Sequence, residues 1–210
     1  MFRIQSAVAL AIIGAAISIP VTANAASFTY SLNPKATFLR TNRDPFAVDP
    51  FILDLSDIGV SSGQEIFLQA LGDYAVGGAF GDGSNVMVGV FSSTNELLPS
   101  DVFQRVPGAL DAVTSRQRSP ITSPTGIGGF PTNIEEDFGI PTVSITAIVP
   151  NEAQYLFIGT PDRFNGDNHD PDGDYGVRIV TPSRYVPEPS ILLGTAIATA
   201  LGWRYSRKRS

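Results

Sequence analysis

The chain has 210 residues, no cysteine, one histidine and a formal net charge of −6 at pH 7. The lack of cysteine excludes disulfides, thiol nucleophiles and thiolate metal sites, and a single histidine cannot build a zinc site of nitrogen ligands. Residues 26–190 hold all 20 acidic residues but only nine of the 14 basic ones, a net charge of −11. This acidic body argues against nucleic acid and anionic membrane surfaces as partners and permits bound cations.

The first 25 residues have the pattern of a secretory signal peptide. Arg3 precedes an apolar run over 7–21, and Ala23 and Ala25 supply the small residues of a cleavage site. We expect cleavage after Ala25 and export of the rest of the chain. The alternative, a retained N-terminal transmembrane helix, is disfavoured because polar sequence follows the small residues at once.

Residues 26–185 are predicted to form one all-β domain, since about 160 residues fit the usual length of a single domain. Short apolar runs rich in β-branched and aromatic residues alternate with clusters of Gly, Pro, Asn, Asp and Ser, and no segment has a convincing helical period. The runs predict seven strands near residues 27–32, 51–55, 64–71, 85–91, 142–149, 154–160 and 175–181.

Two of these strands have informative patterns. In 64–71, Ile66, Leu68 and Ala70 alternate with the other residues and should share one face. The run 85–91 is apolar on both faces, which predicts a central strand covered on both sides in a β-sandwich. Residues 113–132, with three prolines and three glycines, are expected to form a long loop that crosses between sheets.

An Asp-rich segment lies between the last two predicted strands. Residues 159–174 hold five aspartates, two asparagines and three glycines. Clustered carboxylates repel one another unless they are solvated or neutralised, and oxygen ligands on a flexible loop suit Ca²⁺. We therefore predict bound Ca²⁺; the alternative is a solvated acidic turn. Asp170, Asp172 and Asp174 have Asp-x-Asp-x-Asp spacing, but an EF-hand is disfavoured because the sequence predicts no flanking helices and has no glutamate at the twelfth position.

The order of strands over residues 63–181 resembles that of the calcium-dependent galactose-binding lectins of bacteria. The resemblance rests on four segments, 72–74, 86–90, 149–151 and 155–159. It implies a jelly-roll β-sandwich and a Ca²⁺ site formed, by position, from Asp162, Asp167, Asn168 and the main-chain carbonyl of Tyr74. The metal loop is spaced differently here, and residues 77–84 are too few for the sugar-contacting loop of those lectins, so the resemblance supports the metal site better than a sugar specificity.

Contact with extracellular polysaccharide is a further expectation, with Tyr74, Phe80 and Phe164 as loop aromatics placed to reach a ligand. Glu135 and Glu136 leave an alternative open, because a glycosidase needs two carboxyl groups across the scissile bond. Consecutive acids are more often a solvated turn, so we expect a binding protein with no catalytic residues. A structural surface or biofilm component without a defined ligand is the other alternative.

The last 25 residues combine a rigid motif, an apolar run and a basic end. Pro187 and Pro189 keep 186–190 extended, and the apolar run 191–203 would span about 20 Å as a helix against a hydrocarbon core of roughly 30 Å. Basic residues at 204–209 should hold its far end on the cytoplasmic side.

This tail resembles a PEP-CTERM sorting signal, with Pro187, Glu188 and Pro189 as its motif. The resemblance implies recognition and processing by an exosortase, a membrane protease. The membrane helix would then be a transient anchor, and the processed protein would reside at the cell surface or outside the cell. Three regions are therefore expected: a signal peptide at 1–25, a sandwich at 26–185 and a sorting signal at 186–210. An ordinary C-terminal anchor is the alternative.

Overall fold

The computed structural model describes residues 25–41, 44–77, 83–115, 126–127, 130–131, 134–162 and 164–182. Asn24–Ser183 form one compact unit. The predicted signal peptide, sorting motif and terminal helices lie outside the described residues. Within those described ranges, no helix has the length and apolar character needed to span a membrane.

The described part of the chain contains twelve strands and one short 3-10 helix. The strands are β1 (Ala26–Ser31), β2 (Phe51–Asp54), β3 (Glu65–Leu71), β4 (Val88–Ser92), β5 (Ala109–Leu110), β6 (Val113–Thr114), β7 (Gly126–Ile127), β8 (Phe130–Pro131), β9 (Phe138–Gly139), β10 (Ile145–Ile148), β11 (Tyr155–Gly159) and β12 (Gly176–Thr181). The 3-10 helix covers Asn165–Asp167, between β11 and β12.

Two antiparallel sheets account for the longer strands. The first has the order β1-β12-β3-β10-β6, and the second has the order β2-β11-β4-β5, with β9 also paired to β4. Strands β7 and β8 pair only with each other. The chain is thus all-β with two antiparallel sheets, consistent with the predicted β-sandwich, and all seven predicted strands are present with ends within three residues of the prediction.

The principal core lies between the two sheets. Ile66, Leu68 and Ala70 of β3 are buried, as their alternation predicts, whereas Phe67 on the opposite face is 40% exposed. Their cluster includes β11 side chains from the second sheet, such as Leu156. Burying a side chain of this size stabilises a fold by about 1.5–3 kcal/mol, so the facing sheets stabilise each other.

Strand β4 is buried along its whole length because loops cover the outer face of the second sheet. Val88 and Val90 pack there with Phe38, Val106 and Ile134, none of which is exposed to solvent. The prediction of a central strand covered on both sides is therefore confirmed.

Arg105 connects these covering loops through hydrogen bonds. Its side chain is only 5% exposed, and it donates hydrogen bonds to the main-chain carbonyls of Thr37, Leu39 and Leu98 at 3.3, 3.0 and 3.0 Å. Its remaining guanidinium nitrogen lies 3.4 Å from the exposed carboxylate of Asp49. A planar guanidinium with five donors suits this position, since one side chain satisfies carbonyls from two separate segments.

The prediction of a long loop at 113–132 is partly wrong. Val113 and Thr114 form β6, which pairs with Ile148 and Ala147 of β10 at the edge of the first sheet. Strands β7 and β8 lie in the same segment, and its other residues from 116 onward lie outside the described ranges. A strand of two residues is too short to produce a detectable period in the sequence, which explains the error.

Candidate metal centre

The connection between β11 and β12 contacts the segment that follows β3. Ala75 and His169 form an isolated antiparallel bridge, in which the Ala75 amide donates to the His169 carbonyl at 2.8 Å and the reverse bond is 3.1 Å. This bridge places Asn168 beside the chain at Tyr74 and Ala75. Residues separated by more than 90 positions in sequence thereby meet at one end of the sheets.

The 3-10 turn that carries Asp167 is held from a third segment. Asp44, only 7% exposed, accepts a hydrogen bond from the Gly166 amide at 2.7 Å and another from the Phe46 amide at 3.3 Å. A side chain at Gly166 would meet the Asp44 carboxylate and the Cβ atom of Phe46. Glycine is therefore required here by close approach of the chain, and the turn is fixed to residues 44–46.

Two buried amides fix the rest of the loop. The Asn165 side chain, 1% exposed, donates to the Thr160 carbonyl at 2.8 Å. The Asn168 side chain, with no exposed surface, donates to the Pro34 carbonyl at 3.0 Å. A carbonyl can only accept, so the amide nitrogen of Asn168 must face Pro34 and its Oδ1 atom must face the other way.

The Oδ1 atom of Asn168 is buried and has no hydrogen-bond partner in the described structure. Leaving a buried acceptor unsatisfied costs about 1–3 kcal/mol, and folded proteins rarely tolerate it. The hydrogen bond from the amide nitrogen to Pro34 fixes the position of Oδ1. An amide oxygen fixed in this way, with no donor near it, can bind a hard cation.

Asp162 lies three residues after the end of β11, half-buried and close to the buried ring of Tyr74. Burial raises the pKa of the Tyr74 phenol to about 12, and the negative charge of Asp162 adds to the rise against a hydrogen bond from Ser84. The Tyr74 ring contacts Tyr175 edge-on, with centroids 5.0 Å apart. Burial likewise raises the pKa of Tyr175, whose hydroxyl donates to the Val86 carbonyl at 3.0 Å.

The other two predicted ligands differ in their surroundings. Asp167 is exposed, and its Oδ2 atom lies 3.8 Å from the position that a Cβ atom would take on Gly77. The main-chain carbonyl of Tyr74 accepts from the amides of Ser84 at 3.0 Å and Gly83 at 3.4 Å. Its lone pairs are thus directed to the 83–84 segment, which makes it a weaker candidate ligand than the side-chain oxygens.

The fold therefore brings the four predicted positions to one end of the sheets, where the loop meets residues 74–77. Sequence reasoning did not find Asp44, which positions the turn from 122 residues away. A buried aspartate in an otherwise turn-like Asp-Pro-Phe segment gives no sequence signal for that contact. The expectation that the Tyr74 side chain reaches a ligand is wrong, because the ring is 1% exposed, while Phe164 is 45% exposed and Phe80 lies outside the described residues.

A second acidic group lies further along the same loop. One carboxylate oxygen from each of Asp170, Asp172 and Asp174 lies within 4.8 Å of the others, and the latter two residues are exposed. Asp170 accepts from the amides of Gly173 at 2.8 Å and Tyr175 at 3.1 Å. Asp174 accepts from the amide of Asp73 at 3.1 Å. Main-chain amides thus already stabilise the carboxylates of Asp170 and Asp174.

The three consecutive acids weighed as a catalytic element lie in the turn before β9. Glu135 is exposed, Glu136 accepts a hydrogen bond from the Gln104 amide at 3.0 Å, and Asp137 is fully buried. The Glu136 bond connects this turn to the segment of Gln104.

Comparison of the chain with protein-family models, curated proteins and solved structures finds no match. The resemblances to PEP-CTERM proteins and to calcium-dependent lectins therefore remain predictions from sequence.

Proposed function

We propose that the domain is an exported Ca²⁺-binding jelly-roll β-sandwich that acts as a binding protein outside the cell. Asp162, Asp167 and the Oδ1 atom of Asn168 would hold the ion. The observation that carries this proposal is the buried Asn168 oxygen, because it needs a partner that no protein group supplies in the described structure.

Calcium fits this donor set better than other ions. The set contains only oxygen atoms, and Ca²⁺ takes six to eight oxygen ligands from carboxylates, amides, carbonyls and water. Two carboxylates from Asp162 and Asp167 balance the charge of one divalent cation, and the net charge of −11 over residues 26–190 favours cation binding in general. Bound Ca²⁺ would supply a hard, positively charged centre for oxygen atoms of a ligand.

The jelly-roll assignment rests on strand order. Among the longer strands, β1, β3, β10 and β12 belong to the first sheet, and β2, β4 and β11 belong to the second. Consecutive long strands therefore alternate between the sheets, and all pairs are antiparallel. With β9 or β5 beside β4, this gives four principal strands per sheet, the number expected in a jelly roll.

Export is supported by where the described fold begins and stops. Strand β1 starts at Ala26, directly after the expected cleavage position, and β12 ends at Thr181, six residues before Pro187. Removal of both ends would leave every strand of the sheets in place. Mass spectrometry of the exported protein should find Ala26 at its N-terminus and a C-terminus near the Pro187 to Pro189 motif. A mature protein retaining residue 1 would contradict the signal peptide.

Thermal unfolding tests the metal site. A ligand at 100 times its Kd stabilises the folded state by about 2.7 kcal/mol, so the midpoint should rise with Ca²⁺ and return with chelator. The double variant Asp162→Asn and Asp167→Asn should lose this rise, because amides keep the shape but remove both charges. A wild-type midpoint that does not respond to millimolar Ca²⁺ would refute the proposal.

The matched control is the double variant Asp172→Asn and Asp174→Asn, which removes the same charge from the second acidic group of the loop. It should keep the full Ca²⁺ response. If this control loses the response while the first variant keeps it, the ion binds at the second group and the assignment of ligands is wrong.

A further inference from the structure

Strand β1 forms an open edge of the first sheet. All six of its residues pair with β12 on one side, and no described strand lies on its other side. The Leu32 amide continues this ladder and donates to the Tyr175 carbonyl at 3.0 Å. Main-chain groups alternate in direction along an antiparallel strand, so those of Ser27, Thr29 and Ser31 point away from β12, towards the open edge.

This edge lacks the features that usually block the addition of another strand. The register between β1 and β12 is unbroken, and β1 contains no proline and no charged side chain. The other described edges of the two sheets are shorter: β2 has four residues and ends in Asp54, and β5, β6 and β9 have two residues each. Natural proteins commonly protect a long exposed edge with lysine, proline or a bulge. The edge of β1 is therefore suited to pairing with a further strand.

The side chains of β1 are arranged symmetrically about Thr29. Phe28 and Tyr30 flank it, and Ser27 and Ser31 follow on either side. In an antiparallel pair of two copies with Thr29 opposite Thr29, Phe28 of one copy faces Tyr30 of the other, and Ser27 faces Ser31. Aromatic pairs and hydroxyl pairs of this kind stabilise antiparallel strands. This symmetry favours a second copy of the chain as the partner, because a two-fold axis repeats every pair.

The same alignment satisfies the main chain at the edge. Ser27, Thr29 and Ser31 all enter hydrogen-bonded pairs, and each pair exchanges two N–H···O bonds, about six in total. On the inner face, Phe28 and Tyr30 are only partly buried against the principal core, and the Tyr30 ring centroid lies 4.9 Å from that of Phe51 on β2. Aromatic rings of a second copy would extend this core across the edge.

The charges near β1 include both signs. Arg178 of β12 pairs with Thr29, and burial together with the negative charge of Asp57 raises the pKa of Tyr30. In the paired form the main chains at the two Arg178 positions would lie three strand spacings apart, about 14 Å, which exceeds the screening length of about 8 Å at physiological salt. Pairing through β1 therefore buries no charge of the strand itself.

We propose that β1 is a pairing site for a second copy of the chain, which joins the first sheets of two domains into one antiparallel sheet across a two-fold axis at Thr29. The proposal does not depend on the Ca²⁺ site. Pairing through one short strand forms a small interface, and small interfaces are weak, so association should require micromolar or higher concentrations. Copies held together at a cell surface have a high effective concentration, at which weak pairing is sufficient to link them.

Cysteine cross-linking of the exported protein tests the alignment, because the chain has no cysteine of its own. Thr29→Cys should form a disulfide-linked dimer, since the Cα atoms of a hydrogen-bonded pair are about 5.5 Å apart, a distance that a disulfide spans. Ser27→Cys is the matched control on the same face of the strand. Its counterpart in the second copy would lie about 14 Å further along, so cross-linking should be roughly tenfold slower or more. Equal rates at the two positions, or no dimer of Thr29→Cys, would overturn the proposal.

Sedimentation velocity of the exported protein, from micromolar to millimolar concentration, measures the association itself. Thr29→Pro should weaken it roughly tenfold or more, because proline removes an N–H group at the open edge and leaves the bonds to β12 in place. Thr29→Lys, which keeps the N–H group, should also weaken it, and more at low salt than at high salt, because two like charges then meet at the two-fold axis.

Ile52→Pro is the control for these variants. The Leu55 amide donates to the Gln154 carbonyl at 2.9 Å, so by the same alternation the Ile52 N–H group faces the open edge of β2. This variant should associate as the wild type does. A wild type that stays monomeric at every concentration, a Thr29→Lys variant that associates as the wild type does, or dissociation by Ile52→Pro would each refute pairing through β1.

Discussion

Replacing Asn168 with leucine separates a metal ligand from a structural amide. Leucine has nearly the same shape as asparagine and offers no ligand oxygen. Without Ca²⁺, the variant leaves the carbonyl of buried Pro34 without its donor, at a cost of about 1–3 kcal/mol, but it also removes the buried, unpaired Oδ1 atom, which costs about the same in the wild type, so the two terms offset each other. In chelator the two proteins should therefore differ in unfolding free energy by no more than about 1 kcal/mol.

With Ca²⁺ the two proteins should diverge. At 100 times the wild-type Kd, the wild type gains about 2.7 kcal/mol, and a variant with hundredfold weaker affinity gains only about 0.4 kcal/mol. A difference of about 2.3 kcal/mol in a domain of this size corresponds to roughly 5–9 °C in the unfolding midpoint. Calorimetric or circular-dichroism melting in Ca²⁺ and in chelator measures both numbers.

Gln69→Leu is the control, since the Gln69 amide also donates to a carbonyl, that of Thr142, at 2.8 Å in another part of the domain. Its Ca²⁺ response should equal that of the wild type. If Asn168→Leu is destabilised equally with and without Ca²⁺, Asn168 is only a structural amide whose oxygen binds water, and it is not a Ca²⁺ ligand.

Two further predictions concern stability. Burial raises the pKa of Tyr74 to about 12, whereas an unfolded tyrosine titrates near 10. The stability that the protonated Tyr74 phenol contributes is therefore complete below pH 10 and is lost as pH rises towards 12. The loss reaches about 1 kcal/mol by pH 11. Tyr74→Phe should lose less stability than wild type between pH 9 and pH 11 in urea denaturation, and equal losses would contradict this. Arg105→Lys should lower the unfolding free energy by about 3 kcal/mol, because an ammonium cannot reach the three carbonyls that the guanidinium binds. Its Ca²⁺ response should be normal, and a loss below 1 kcal/mol would show that water replaces those bonds.

The parts of the fold that could be predicted are those with a local period. The alternation in β3 and the two-sided apolar run of β4 identify strands and their burial because side chains alternate between the faces of a strand. Strands β5, β6 and β9 have two residues each, and pairing partners distant in sequence decide their conformation. No local pattern could have revealed them.

The candidate site could likewise be predicted only in part. The Asp-rich composition of the loop and the resemblance to lectins point to Asp162, Asp167 and Asn168, but neither indicates which oxygens lack partners. That depends on Pro34 and Asp44, which come from a segment more than 120 residues earlier. The position of Phe46 beside the turn depends on the same segment, so it could not be predicted either.

The distribution of main-chain donors, more than the number of aspartates, distinguishes structural acids from candidate ligands in this loop. Asp44, Asp170 and Asp174 each accept from main-chain amides, and such bonds stabilise the carboxylates where they are. A cation bound there would compete with hydrogen bonds that the fold already makes. In the described structure the side-chain hydrogen bond of Asn168 uses its nitrogen, so a cation would add an interaction at Oδ1 and displace no bond seen there. Among the acceptors of this loop, a metal ion therefore gains most at the buried Oδ1 atom of Asn168, which has no donor in the described part of the chain.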